Sequence, residues 1–391
     1  MFEPTYTAAL TRLNAFLPRA GYEYASQRNY DRPGHPNVSG LSPYLRHRII
    51  TEDEVLAATL GRHSVKAAEK FIQEVYWRTY WKGWLEIRPS LWDRYQMDVN
   101  AALNRVQTES GLRADWEAAC RGDTGIDCFD HWARELVETG YLHNHARMWF
   151  ASIWIFTLRL PWVLGADFFL RHLLDGDPAS NTLSWRWVGG IQTMGKTYLA
   201  RPDNIAKYTE GRFQPNGLAP AAAALESPPH PQAGLSPKGD RLPSGGDVGL
   251  LLTEDDLSPG WLLSQVKPTA TALFQATAGR SPLHVSTAVK AFSEEAFQNS
   301  AARYRDQCGT VSRVTDLAAW ARDQKVTSIV TSFVQVGPTR DALDHQRVAL
   351  DALGVKIHHI LRPFDAAAWP FATKGFFPFK ERIPGFLTTY S

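Results

Sequence analysis

Cysteine is scarce in this chain, with three in 391 residues: Cys120, Cys128 and Cys308. Three scattered thiols exclude a disulfide framework and a thiolate metal site, and they predict a reducing, cytoplasmic setting. Charge of one sign is also lacking. With 42 basic and 40 acidic side chains the net charge is +2, which excludes a polycation that coats DNA indiscriminately but not a local basic face. The N-terminal stretch MFEPTYTAAL has no basic and apolar tract of secretory type. Long apolar runs are missing too. Met148 to Leu164 comes nearest, but Arg159 and Pro161 interrupt it and Asp167 follows, so it predicts a buried core helix and no membrane association. A glycine-rich dinucleotide fingerprint is absent, which argues against a nicotinamide cofactor.

What the chain does have is bulk and tryptophan. Forty-four per cent hydrophobic residues suffice for a well-filled core, and the length suits two domains. Fourteen tryptophans are many. Any one of them is explained by packing, but the set asks for more.

Residues 1–213 read as mainly helical. Thr51 with Glu52, Asp53 and Glu54 forms a cap and acidic first turn running toward Leu60, and Ser64 opens a longer helix that ends before Pro89. Further helices fit 114–120, 128–139, 143–160 and 166–174. Residues 214–246, rich in Pro, Ala, Gly and Ser, cannot bury enough surface to offset their ordering entropy and predict an exposed linker. In residues 247–391 the periodicity changes. Short strands fit 248–253, 270–276, 327–333 and 355–361, with helices between them at 314–323 and 339–353, which predicts a parallel, doubly wound α/β domain.

Four blocks carry the candidate chemistry. The first is YASQRNY followed by NVSGLSPYLRHRIIT, whose Ser39, Gly40, Leu41 and Ser42 form a turn that offers hydroxyls and backbone N–H groups to an anion. The second, KFIQEVYWRTYW, sets Glu74, Trp77 and Arg78 on neighbouring faces of a helix. The third is GYLHNHARMWFAS and the fourth LLDGDPASNTLSWRW. Read singly, the first is a turn and cap, and the second an amphipathic helix with ordinary ion pairs. His143 and His145 suggest a metal only on a strand. On a helix they diverge by about 200°, so no metal is predicted.

Taken in order, the four blocks resemble the FAD-binding domain of the photolyase and cryptochrome family, over about Tyr24 to Trp187 within a domain of about residues 22–213. The resemblance implies an all-helical flavin domain. Tyr24, Ser39, Gly40, Leu41 and Ser42 would cradle the FAD diphosphate, with Val38 replacing the usual leading hydroxyl. Phe71, standing where many members have tryptophan, and Tyr141, also replacing one, would line the flavin with Arg78. Asn144 and Arg147 match the flavin-contacting pair. Asp175 and Asp177 match the carboxylates at the flavin's polar edge, and Asn181 faces N5, an amide that favours reduced anionic flavin. By the same resemblance Glu74, which also counts among the FAD-binding residues, orients the damaged pyrimidines with Asn144, Met148 is the methionine typical of enzymes acting on cyclobutane dimers, and Trp77 and Trp187 complete the apolar walls. Arg28 binds DNA phosphate, and His145 replaces a common arginine facing DNA. Trp185 and Trp162 match the inner and middle members of an electron relay whose outer member stays open among Trp92, Trp149 and Trp154. Lys196, Arg201 and Lys207 either touch phosphates or are solvated.

The C-terminal α/β part loosely resembles the family's antenna domain, which precedes the flavin domain elsewhere. The order here is therefore expected to be permuted, with room for a second chromophore of unknown identity. The function implied is light-driven repair of cyclobutane pyrimidine dimers by electron transfer from excited, reduced FAD, a lyase whose partner is dimer-containing DNA. The rivals are a cryptochrome-like light sensor that binds FAD, repairs nothing and signals to a partner, and a flavoprotein with dark redox chemistry.

Overall fold

The computed structural model describes residues 2–390. The chain folds as helices first and an open sheet second. Helix α1 spans Tyr6–Phe16 and is capped by the Thr5 hydroxyl, which accepts from the Ala8 N–H. The helix Glu52–Leu60 follows a reciprocal cap, in which the Thr51 hydroxyl accepts from the Glu54 N–H and the Glu54 carboxylate accepts from the Thr51 N–H. Helix α2, Glu69–Glu86, begins five residues after the expected Ser64. Helix α3, Ser90–Thr108, has no counterpart among the expected helices, because Pro89 reads as a stop although it serves as the residue before the first turn.

Helix α4, Asn144–Ser152, widens at its end into a π turn, Ile153–Thr157, and Arg159 then takes φ +56°. The apolar run expected to be one helix is thus broken just before Pro161. Helix α5 spans Trp162–His172 and helix α6 spans Pro178–Val188. The two cross so closely at Gly165 that a Cβ there would overlap the six-membered ring of Trp185.

Five parallel strands, β1 Val248–Thr253, β2 Ala270–Phe274, β3 Thr310–Arg313, β4 Ser328–Ser332 and β5 Lys356–Ile360, form one sheet in the order β3-β2-β1-β4-β5. Four match the expected apolar runs. The edge strand β3, TVSR, was not legible because it is mostly exposed and carries no alternating apolar signal. Helix α7, Pro338–Ala352, connects β4 to β5.

Residues 214–246 contain almost no regular structure, as their composition predicts, but they lie along the surface as an ordered strap. The Leu225 N–H donates to the Gly189 carbonyl, the Gly234 N–H to Ile87, and the Asp240 N–H to His359. The sheet does not stand apart from the helices. One apolar core runs through both, joining Tyr44, Tyr76 and Trp92 to Leu250, Phe292, Phe364 and Phe379.

The contact is polar where the strands end. In an open parallel sheet the crevice beyond the strand C-termini, where the strand order reverses, is the usual ligand position. Here β1 runs into Glu254, Asp255 and Asp256, and the helical part fills that crevice with Arg46, His47 and Arg48. Arg46 pairs with Asp255 at 2.7 Å, the His47 Nδ1–H donates to the Glu254 carbonyl at 2.7 Å, and Arg48 lies 3.5 Å from Asp256. Arg48 also holds Glu52 at 3.1 Å and Asp365 at 2.7 Å, while Arg362 chelates Asp256. Arg48 sits at φ +47°, a conformation of low population that its three carboxylates fix. A second chromophore would therefore need a place other than this crevice.

Candidate functional site

Helix α2 turns one stripe inward at four-residue spacing, Glu74, Arg78 and Lys82. Facing it is the loop Leu173–Asp177 between α5 and α6. Asp177 caps α6, accepting from the Ser180 N–H at 2.7 Å, and so orients the helix that carries Asn181 and Trp185. Asp175 is 3 % exposed. Arg147 donates to its Oδ2 at 3.0 Å, and Arg78 lies 3.7 Å away. Burial pushes the Asp175 carboxyl up, but Arg147 and Arg78 outweigh it and hold the group below its ordinary value. For Asp177, burial is likewise outweighed by Lys82, Arg78 and Arg46, which hold it well below the carboxylate range. Both are anions.

The Ser42 hydroxyl also helps to hold the Asp175 carboxyl down, and its Oδ1 has no hydrogen bond of ordinary geometry among the described residues. A buried anionic oxygen without a donor is costly, so it marks a place where an N–H belongs. This is what a flavin ring edge supplies, and the residues present fit FAD. In the turn expected at the diphosphate, the backbone is shaped by one glycine. Gly40 takes φ +60°, and a Cβ there would run into the Arg12 guanidinium of α1. Arg12 is half-buried, lies over the Phe2 ring at 4.7 Å and beside the Tyr44 hydroxyl, and has no carboxylate within ion-pair distance among the described residues. Sequence reasoning missed Arg12 because nothing local ties α1 to a turn nearly thirty residues later.

The remaining expected residues fall as follows. Tyr24, Phe71 and Phe16 form one aromatic cluster, with Tyr24 and Phe71 5.4 Å apart. Tyr141 is buried with the Arg147 guanidinium over its ring. Asn181 is buried and donates to the Ala166 carbonyl at 2.8 Å. Asn144 is exposed, while Met148, Arg147 and Trp187 are half-buried. Glu74 is ion-paired with Arg28, so the expected dimer-binding carboxylate and phosphate-binding guanidinium engage each other. Trp77 has one ring face covered by Phe376, at 3.5 Å between centroids and 11° between planes. Its free wall is thus narrower than expected.

His145 is turned inward. It stacks on Trp149 at 3.9 Å, its Nδ1–H donates to the Asn29 carbonyl, and its Nε2 meets the Tyr198 hydroxyl at 3.1 Å. Burial lowers its pKa, and neither ring nitrogen is free for a phosphate. His143 accepts from the His145 N–H through Nδ1, and among the described residues no cluster of metal-ligating side chains occurs.

The aromatic contacts divide the relay candidates. Trp185 touches Trp154 at 6.2 Å, whereas Trp162 touches Tyr95 at 5.9 Å and Tyr95 stacks on Trp92 at 5.3 Å. Trp149 stacks instead on His145 and Trp132. Trp162 is itself half-buried, while Trp92 and Trp154 are buried.

Residues 71–217 match the family model described as the FAD binding domain of DNA photolyase. Over this helical part the chain is similar to the photolyase and cryptochrome family. It is 32 % identical over 200 residues to the deoxyribodipyrimidine photo-lyase of a Synechococcus species, covering 47 % of this chain and 38 % of that one. The Thermus thermophilus deoxyribodipyrimidine photo-lyase is 36 % identical over 203 residues, covering 50 % of this chain and 45 % of the relative. A class III photolyase structure from Agrobacterium tumefaciens is 30 % identical over 53 % of this chain and 43 % of its own, with a TM-score of 0.45. The match thus spans less than half the length of each relative. No helix among the described residues is long and apolar enough to cross a membrane.

Proposed function

We propose that this protein is an FAD-dependent photolyase that reverses cyclobutane pyrimidine dimers in DNA under blue light. The observation that carries the reading is Asp175, a buried anion held by two guanidiniums with one oxygen left for a ring N–H, two residues before the cap of the helix that bears Asn181 and Trp185. FAD, if bound there reduced and excited by light, would supply the electron that opens the cyclobutane ring and would take it back once the two pyrimidines are restored. The chain supplies the rest. Arg12 and the Gly40 turn hold the diphosphate, Arg147 keeps Asp175 ionised, and Asn181 stands at the ring from a fixed carbonyl contact. A lesion that already stacks poorly leaves the duplex at lower cost. Arg28 then exchanges the Glu74 carboxylate for a DNA phosphate, and this frees Glu74 to orient the pyrimidines, with Asn144, Met148, the open edge of Trp77 and Trp187 around them.

We also read the order of the two parts, helical first and sheet second, as permuted relative to the family. A light sensor without repair is the second reading. It is favoured by His145, whose ring nitrogens are spent inside the protein. Blue-light treatment of reduced, FAD-loaded protein with dimer-containing DNA, followed by recovery of thymine absorbance, decides between them. We expect repair by the wild type and a loss of at least about tenfold for Glu74→Gln with FAD binding retained. Normal flavin photoreduction with no repair selects the sensor.

A further inference from the structure

The loop that carries both flavin-facing carboxylates is held by its carbonyls, and part of the grip comes from the other half of the chain. The Leu173 carbonyl accepts from Arg280 Nη1 at 3.1 Å, the Asp175 carbonyl from Arg78 Nη1 at 3.4 Å, and the Gly176 carbonyl from Arg46 Nε at 2.8 Å. The His47 ring wedges beside the Leu174 carbonyl at 3.2 Å, and its shorter contact goes to the Glu254 carbonyl. Three guanidiniums on a five-residue loop exceed what its backbone needs, since carbonyls are satisfied as well by neutral donors.

Two of the three depend on the α/β part. Arg46 is fixed there by Asp255 at 2.7 Å, and Arg280 belongs to the turn after β2. Arg280 is 4 % exposed, has no carboxylate within ion-pair distance among the described residues, feels Glu254, Asp255 and Asp175 only from further away, and leaves Nη2 without a partner. It also packs against Gly176, where a Cβ would lie 3.0 Å from Nη1. A buried guanidinium with no carboxylate costs stability where it stands. Its site makes sense as a fixed positive charge held against the loop between Asp175 and Asp177.

We propose that Arg280 is a positioning residue of the flavin site. Delivered by the α/β part, it sets the register and the field of the Asp175–Asp177 loop, so that the sheet serves as a brace for the flavin pocket. The consequence for FAD rests on the flavin reading given above, but the effect on the loop does not. The test compares wild type, Arg280→Met and Arg280→Lys in the full chain. Removing a buried charge without a carboxylate leaves the global fold intact, which far-UV circular dichroism and Tm verify.

In flavin-free protein, hydrogen exchange of a peptide covering residues 173–177 should rise at least about tenfold in Arg280→Met while peptides of α1 stay unchanged, and Arg280→Lys should restore part of the protection. With FAD added, Arg280→Met should weaken binding by about tenfold and lower the midpoint potential of the bound flavin, with Lys again intermediate. Unchanged loop exchange in Arg280→Met overturns the proposal, as does equal FAD affinity and potential in all three proteins. A wild type that takes no FAD while the loop still loosens in Arg280→Met keeps the brace and overturns the flavin reading instead.

Discussion

Asp175 concentrates the chemistry of the site in one atom. Its Oδ2 is spent on Arg147 and its Oδ1 is open, so replacing the carboxylate by an amide removes an ionic acceptor without changing shape. Hydrogen bonds to charged groups contribute about 1.5–3 kcal/mol. Asp175→Asn should therefore weaken FAD binding by about that amount, read as recovery of free-flavin fluorescence in a titration. An affinity equal to wild type would remove Asp175 from the site. The identity of this residue was legible in the sequence through the DGD run before a helix, whereas its environment was not. Arg46, Lys82 and Arg280 reach the loop from points separated by more than two hundred residues, and no local pattern announces such convergence. Lys82 is the extreme case. It is 1 % exposed, its ammonium has no hydrogen-bond partner and lies 4.0 Å from Asp177, and burial lowers its pKa.

At the scale of elements, α5 and α6 decide where Trp185 stands. Gly165 lets the two helices close on the indole, and Phe169 meets it edge-on at 5.1 Å. Gly165→Ala should gain up to about 1 kcal/mol in helix propensity and lose more by overpacking, about 1–3 kcal/mol. The expected outcome is a lower urea midpoint and a displaced Trp185, seen as altered tryptophan fluorescence; a midpoint at or above that of the wild type would show that the ring can give way. The expected helices and strands agree with the structure where periodicity and caps are strong, as at Thr51 and through β1. They miss where tertiary contact overrides local signal. The long apolar run from Met148 breaks at a π turn, α3 starts on a proline, and β3 forms because β2 offers it hydrogen bonds rather than because its own residues favour burial. The strap was legible as irregular from its composition, but its attachments were not, since they depend on carbonyls of Gly189, Ile87 and His359.

For the whole molecule, three histidines held neutral give acid sensitivity above the carboxylate range. Burial, helped by Arg46 and Arg280, pushes His47 down to about 3; burial pushes His143 down to about 4, and burial with Arg171 does the same to His172. Each binds a proton more readily when unfolded, so its contribution is fully present above pH ~6.5 and is lost as the pH falls toward the folded value. Each adds a slope of up to about 1.4 kcal/mol per pH unit in that window. Stability should fall between pH 6.5 and 4, before the paired Asp175 and Asp177 begin to protonate. Equal Tm values at pH 7 and pH 5 would contradict the burial of these rings.

The ion pair of Arg48 with Asp365 closes across 317 residues, and Arg46 meets Asp255 across 209. At a synthesis rate of about 5–20 residues per second, Arg48 leaves the ribosome roughly 15–60 s before its partner. During that interval the arginines bound for the core face no acidic rim, and the apolar surface that the sheet will cover is bare. The helical part therefore emerges as an unfinished body that completes itself only once the sheet has followed it, and its yield in a cell should depend on what shelters it in the meantime.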